Sequence, residues 1–141
     1  MKLYIREPGT DHLLRLASRA AGHRFAVLSL AQVEFRFAIR KRQRAKDLDG
    51  PAADQLLARF ERHLETKFVT QAVSSAVLDV AKTLVDRHGL RAYDAIQLAG
   101  CVTLKEASNH RDLTFVCADG DLVRAGELEG LPVLDTAGWR L

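Results

Sequence analysis

Four acidic residues stand where a carboxylate can do chemistry. Asp94 opens an apolar helical run, and Glu34 lies about one turn after a short apolar stretch. Asp119 directly follows another apolar stretch, with Asp121 two residues further along. The free N–H groups and the positive dipole end of a first helical turn favour an anion at such positions. Carboxylates that share a cleft repel each other and need a cation between them, for which hard oxygen ligands favour Mg²⁺ or Mn²⁺.

A divalent cation held in this way has a defined chemistry. It lowers the pKa of a bound water and stabilises charge on a phosphate during in-line attack, which is hydrolytic phosphodiester chemistry. For any one of these acids taken alone, a helix cap or a solvated charge is the simpler interpretation. The prediction of a metal site therefore depends on the convergence of Glu34, Asp94 and Asp119 at one edge of a sheet.

Short apolar strands and amphipathic helices must position these acids. The predicted strands are Phe25–Ser29, Lys67–Thr70, Leu113–Cys117 and Leu131–Leu134. The predicted helices cover about 11–21, 30–44, 51–64, 73–85, 94–107 and 120–128. This alternation predicts an α/β fold with a short parallel sheet covered on both faces. Ligands bind beyond the carboxyl ends of the strands in such sheets, where the acids are expected.

Composition sets the broad class of the chain. It has 141 residues, of which 48% are hydrophobic and 28% charged, enough for one domain with a real core. No apolar run reaches membrane-spanning length and no signal-peptide pattern opens the sequence, so we expect a cytoplasmic protein with no membrane partner. Cys101 and Cys117 both lie in apolar runs, which indicates buried thiols in a reducing compartment.

A cluster of basic residues marks the end of the second predicted helix. The net charge of +3 and the pI of about 9.1 are compatible with a nucleic-acid partner. Six basic side chains crowd this end: Arg36, Arg40, Lys41, Arg42, Arg44 and Lys46. They can hold an RNA backbone, or they can form a solvated face that complements the helix dipole. The residues predicted to contact RNA are Arg40, Arg42, Arg44 and Arg91.

Four segments together resemble a known family over nearly the whole chain. They are LYIREPGTDHLL, LSLAQVEFRFAI with Glu34, HGLRAYDAIQLA with Asp94, and TFVCADGDLVRAGELEGLPVLD with Asp119. In this order and spacing they resemble PIN-domain proteins, close to the VapC-type ribonuclease toxins of toxin–antitoxin pairs. The third segment is the most specific match.

The resemblance implies a complete set of expectations. Residues 1–141 would be a single PIN-like domain, a three-layer α/β/α fold with a short parallel sheet. The protein would be a Mg²⁺- or Mn²⁺-dependent endoribonuclease, the toxin of a type II system, which cleaves RNA with a metal-activated water. Glu34, Asp94 and Asp119 would be catalytic metal ligands, with Asp121 as a further ligand. The implied partners are the RNA substrate, a cognate antitoxin and a second copy in a homodimer.

The chain also departs from the family pattern at its start. Family members begin with a central strand that ends in a metal-binding Asp, and neither the strand nor the Asp is present before Leu3. We expect the native protein to begin upstream with this strand, Met1 being an alternative start, which the in-frame upstream DNA tests. Otherwise Phe25–Ser29 and Leu113–Cys117 would pair directly, or a partner would supply the strand. The alternative function is a catalytically impaired PIN-like domain that binds antitoxin or RNA.

Overall fold

The computed structural model describes residues 24–109 and 112–137, and the chain divides into two compact units, Met1–Ala72 and Val73–Leu141. Within the described residues, five α-helices alternate with four short β-strands. In chain order they are β1 (Phe25–Leu28), α1 (Ala31–Arg44), α2 (Gly50–Thr66), β2 (Phe68–Gln71), α3 (Ser75–His88), α4 (Ala92–Ala107), β3 (Phe115–Cys117), α5 (Gly120–Leu128) and β4 (Val133–Asp135). The helix predicted at 11–21 and the apolar start lie outside the described residues.

In the first unit, two helices that pack against each other connect two paired parallel strands. β1 pairs with β2 in a register that places Phe25 opposite Phe68. The α2 helix begins where the Asp49 side chain accepts a hydrogen bond from the Ala52 N–H at 2.7 Å, with a proline in its first turn. The apolar faces of α1 and α2 supply a buried core, which consists of Phe35, Ile39, Ala53, Leu57 and Phe60.

The second unit combines three helices with a second parallel pair of strands. Ser74 caps the start of α3, and Gly89 ends it with φ of 65°, a left-handed conformation that glycine adopts without strain. β3 pairs with β4, so that Cys117 lies opposite Asp135. The core joins buried apolar residues from every element but β4: Val77, Ala81, Leu84, Leu90, Ala95, Leu98, Ala99, Phe115, Leu122, Ala125 and Leu131.

The α5 helix lies unusually close to the strands below it. A Cβ atom built on Gly126 would come within 2.9 Å of a Val133 methyl group and 3.2 Å of the Phe115 ring. The absence of a side chain at Gly126 therefore sets the approach of α5 to β3 and β4. Because Asp119 and Asp121 stand at the start of the same helix, this approach also fixes their position.

The sequence predictions of element type are confirmed throughout the described residues. The helix predicted at 120–128 has those bounds, and the one predicted at 30–44 begins one residue later. The α/β class and the parallel pairing are confirmed, with the strands arranged as two pairs, β1 with β2 and β3 with β4. No helix among the described residues is both long and apolar enough to span a membrane.

Candidate acidic site

Asp119 is held rigidly at the junction between β3 and α5. It is the N-cap of α5, and its Oδ1 accepts hydrogen bonds from the backbone N–H groups of Asp121 at 2.9 Å and Leu122 at 3.1 Å. Both bonds satisfy donors that a helix start leaves open. Within the described part of the chain, no donor reaches Oδ2 of Asp119. One carboxylate oxygen thus fixes the side chain of this exposed residue.

Asp94 lies in the first turn of α4, as predicted, and is half-buried. Burial raises the pKa of its carboxyl group above the ordinary value, and the negative charges of Asp119 and Asp121 raise it further, while Arg91 acts against them. The start of α5 therefore lies near enough to the start of α4 for the charges of Asp119 and Asp121 to act on Asp94. Asp121 is exposed, and its Oδ1 lies 3.7 Å from the Arg124 guanidinium.

Asp135 is an acid of this site that the sequence analysis missed. It ends β4 opposite Cys117, and its Oδ1 accepts a hydrogen bond from the Ala137 N–H at 2.9 Å. The rule that placed Asp119 beyond a strand also applies to Asp135, which directly follows the predicted strand Leu131–Leu134 and was overlooked. The name acidic site is used below for Asp94, Asp119, Asp121 and Asp135.

Cys117 lies in β3, where the charges of the acidic site affect the pKa of its thiol. Burial raises the pKa of its thiol to about 11, with further increases from Asp135, Asp119 and Asp94 and a small opposing effect of a hydrogen bond with the Asp119 backbone. The thiol is therefore protonated at neutral pH and is neither a nucleophile nor a thiolate ligand. Cys117 and Cys101 are both free and partly buried, in agreement with their predicted state.

Glu34 lies on an element of the first unit, in the first turn of α1, and is half-buried. Its position one turn after β1 is the predicted one. Glu34 is therefore not among the acids that the second unit brings together, and its role as a metal ligand remains a prediction.

The predicted RNA-binding arginines have different surroundings. Arg40 is engaged by the protein itself, since its guanidinium donates to Asp54 at 3.0 Å and to Gln43 at 2.7 Å. Arg42 and Arg44 lie in the last turn of α1, where a positive charge complements the helix dipole. Arg91 is exposed at the N-cap of α4, beside Asp94. Their contact with RNA stays a prediction.

The donor chemistry of the acidic site fits a hard divalent cation. Its oxygens come from carboxylates, one of them with a pKa raised by its acidic neighbours, and a cation relieves that repulsion. Among the described residues, no three His, Cys, Asp or Glu side chains are arranged closely enough to form a ready-made metal-binding group. Mg²⁺ commonly binds through one or two carboxylates and completes its shell with water and substrate phosphate. Asp94 and Asp119 can provide such a pair.

Comparison with known proteins adds no relative to this description. No protein-family model matches the chain, and no curated protein matches it significantly.

Proposed function

We propose that the protein is a PIN-like, VapC-type endoribonuclease, the toxin of a type II toxin–antitoxin pair, which hydrolyses RNA with Mg²⁺ or Mn²⁺. The observation that carries the proposal is the position of Asp119 and Asp121 near Asp94, whose pKa is raised by burial and then by the negative charges of these two acids. Further support comes from the order of the four sequence segments and from the start of α5 directly after β3. The proposed fold is a three-layer α/β/α arrangement, with a homodimer and an antitoxin as assemblies.

Asp94 and Asp119 would hold the cation, with Asp121 at the edge of the site and Glu34 as a further ligand on the basis of the sequence resemblance. The cation, when bound, supplies activation of water and neutralisation of phosphate charge. Asp119 enters this chemistry with one oxygen already fixed by backbone N–H groups, which preorganises the other. Asp94 binds the cation in its ionised form, so binding competes with a proton more strongly than at an ordinary aspartate.

The test is cleavage of single-stranded RNA by the purified chain with Mn²⁺, compared with an Asp94→Asn variant. We expect cleavage by the unmodified chain and a loss of about 100-fold or more in the variant, because a direct ligand contributes at least as much as its supporting contacts. Asp79→Asn is the matched control, since Asp79 is an exposed acid on α3 paired with Lys82. The control should cleave at the unmodified rate.

Cation binding provides a second readout that does not depend on activity. Calorimetric titration with Mn²⁺ alone should show binding that Asp94→Asn weakens and Asp79→Asn leaves unchanged. Cleavage that persists in Asp94→Asn would reject the proposed site. RNA binding without any cleavage would instead favour the alternative function, a catalytically impaired domain that acts by binding RNA or antitoxin.

A further inference from the structure

A row of basic side chains follows one face of α2. Arg59, His63 and Lys67 are spaced four residues apart, and Arg62 flanks them. Residues at this spacing are neighbours on a helix surface. These four residues are called the α2 basic stripe below. From Arg59 to Lys67 the stripe extends about 12 Å along the helix axis.

Among the described residues, no acid forms an ion pair with the three exposed cations of the stripe. Arg59, Arg62 and Lys67 are exposed, and none of them lies within ion-pairing distance of a carboxylate of the described residues. Other basic residues of this unit behave differently: Arg36 pairs with Glu61 at 3.0 Å, and Arg40 pairs with Asp54 at 3.0 Å. Asp54 and Glu61 of α2 thus pair with two arginines of α1 and with no cation of the stripe.

His63 lies in the middle of the stripe, and the positive charges around it affect the pKa of its imidazole. Burial lowers the pKa of its imidazole, and the charges of Lys67, Arg59 and Arg62 lower it further. The imidazole ring packs edge-on against Phe68, with centroids 6.0 Å apart and planes at 77°. The stripe is therefore a surface with a positive local potential and a partly fixed geometry.

The stripe lies at the amino end of the β1–β2 pair. Arg24 and Lys67 each directly precede the first register pair, Phe25 with Phe68, so exposed Arg24 extends the basic surface onto β1. Glu34 follows the carboxyl end of β1. A four-residue strand separates the two ends by roughly 10–13 Å. The first turns of α1, which carry Glu34, contact the same part of α2 as the stripe, since Phe35 stacks on Phe60 and Arg36 pairs with Glu61.

We propose that the α2 basic stripe, extended by Arg24, binds the phosphate backbone of single-stranded RNA as an anchoring surface. The choice of RNA rests on the proposed function. Exposed cations without acid partners release condensed counterions from a polyanion when they bind it, and they gain affinity without sequence readout. A helix face about 12 Å long matches a short stretch of backbone.

The test measures binding of a fluorescent single-stranded RNA to the full chain in EDTA over a range of salt. The variant replaces Arg59, Arg62 and Lys67 together by glutamine. We expect about tenfold weaker binding at low salt, and a slope of log Kd against log salt that falls by about 2, because each lost contact with a single strand removes about 0.7.

A matched control removes the same charge elsewhere. The triple variant Lys82→Gln, Arg87→Gln, Lys105→Gln changes cations that already contact an acid or a carbonyl oxygen. It should keep the affinity and the salt slope of the unmodified chain. Equal losses in both triple variants, or an unchanged slope in the stripe variant, would overturn the proposal. Competition by duplex DNA as strong as by RNA would overturn the assignment to single strands.

A footprint on the unmodified chain covers the case in which the stripe variant does not fold. Acetylation of Lys67, read by mass spectrometry, should slow when RNA is bound while acetylation of Lys82 does not; equal rates at Lys67 with and without RNA would overturn the proposal. These assays omit divalent metal, so they separate the two proposals. If the stripe binds RNA but the chain does not cleave it, the stripe proposal holds and the nuclease proposal fails. If the chain cleaves RNA but the stripe does not bind it, the nuclease proposal holds and the stripe proposal fails.

Discussion

The two compact units carry opposite charge. The first, Met1–Ala72, has fourteen Lys and Arg against eight Asp and Glu, and the second, Val73–Leu141, has seven against ten. Glu34 and Asp94 occupy equivalent places, each in the first turn of a helix. Glu34 belongs to the unit rich in cations, whereas Asp94 has Asp119 and Asp121 among its charged neighbours. The modest net charge of the whole chain conceals this division.

The difference matters for the chemistry that each unit can support. An acidic cluster can bind a cation, and a surface of basic side chains without acid partners can bind a polyanion. Metal-dependent hydrolysis of RNA requires both. The contrast between the units is therefore what the proposed function needs, and three predictions probe it, from the largest expected effect to the smallest.

The first prediction concerns the packing that positions the acidic site. Gly126→Ala places a methyl group 2.9 Å from Val133, a stiff β-branched side chain, so α5 must move away from the strands. Overpacking of this kind costs about 1–3 kcal/mol in the free energy of unfolding. Because Asp119 and Asp121 travel with α5, Mn²⁺ affinity should fall as well. Chemical denaturation and calorimetry measure the two effects.

Gly50→Ala is the matched control in the first unit. Apart from its chain neighbours and its own helix backbone, a Cβ at Gly50 meets the flexible end of Gln43, at an ordinary contact distance of 3.5 Å. Its unfolding free energy should change by less than about 0.5 kcal/mol, with no effect on Mn²⁺ binding. If both variants behaved alike, the close approach of α5 would not be what sets the acidic site.

The second prediction compares ion pairs of the two units. Glu129 is 13% exposed, and its Oε2 accepts a hydrogen bond from Arg87 at 2.7 Å and lies 3.3 Å from His88 Nε2. Glu129→Gln should lower the free energy of unfolding by about 1–2 kcal/mol, since a shielded charged hydrogen-bond acceptor is lost. In the first unit, Glu61 is 63% exposed beside Arg36. Glu61→Gln should cost less than about 0.5 kcal/mol.

The pH dependence gives this comparison a sign. Burial acts to raise the pKa of Glu129, but hydrogen bonds and charge from Arg87 and His88 outweigh it and hold the pKa below the ordinary value. A depressed acid pKa stabilises the fold above the ordinary pKa and loses that contribution as the pH falls through the folded value. Unfolding curves of Glu129→Gln and the unmodified chain should therefore converge in acid. Curves that stay parallel below pH of about 4 would contradict this account.

Sequence patterns predicted the elements well because capping and periodicity are local. Ser74, Gly89 and Asp119 act at the helix ends where their residue types belong. Asp135 directly follows the predicted strand Leu131–Leu134, but only the pairing of β4 with β3 shows that it lies opposite Cys117. The α2 stripe was missed because charge pairing is not local: only the fold shows that Glu61 neutralises Arg36 and that no described acid pairs with Arg59.

The third prediction asks whether the acidic site costs the second unit stability. A raised acid pKa means that the folded state disfavours the ionised form, so the contribution of Asp94 to stability is lost as the pH rises through its folded pKa. Asp94→Asn should therefore raise the free energy of unfolding at neutral pH by less than about 1 kcal/mol, and the gain should vanish below pH of about 4. Asp79→Asn, which removes an exposed charge, should show no such gain. If Asp94→Asn stabilises the fold and also loses Mn²⁺ binding, the carboxylate of Asp94 serves cation binding at the expense of stability. A stability loss at neutral pH would instead make Asp94 a structural acid of its helix, like the Asp49 cap in the first unit.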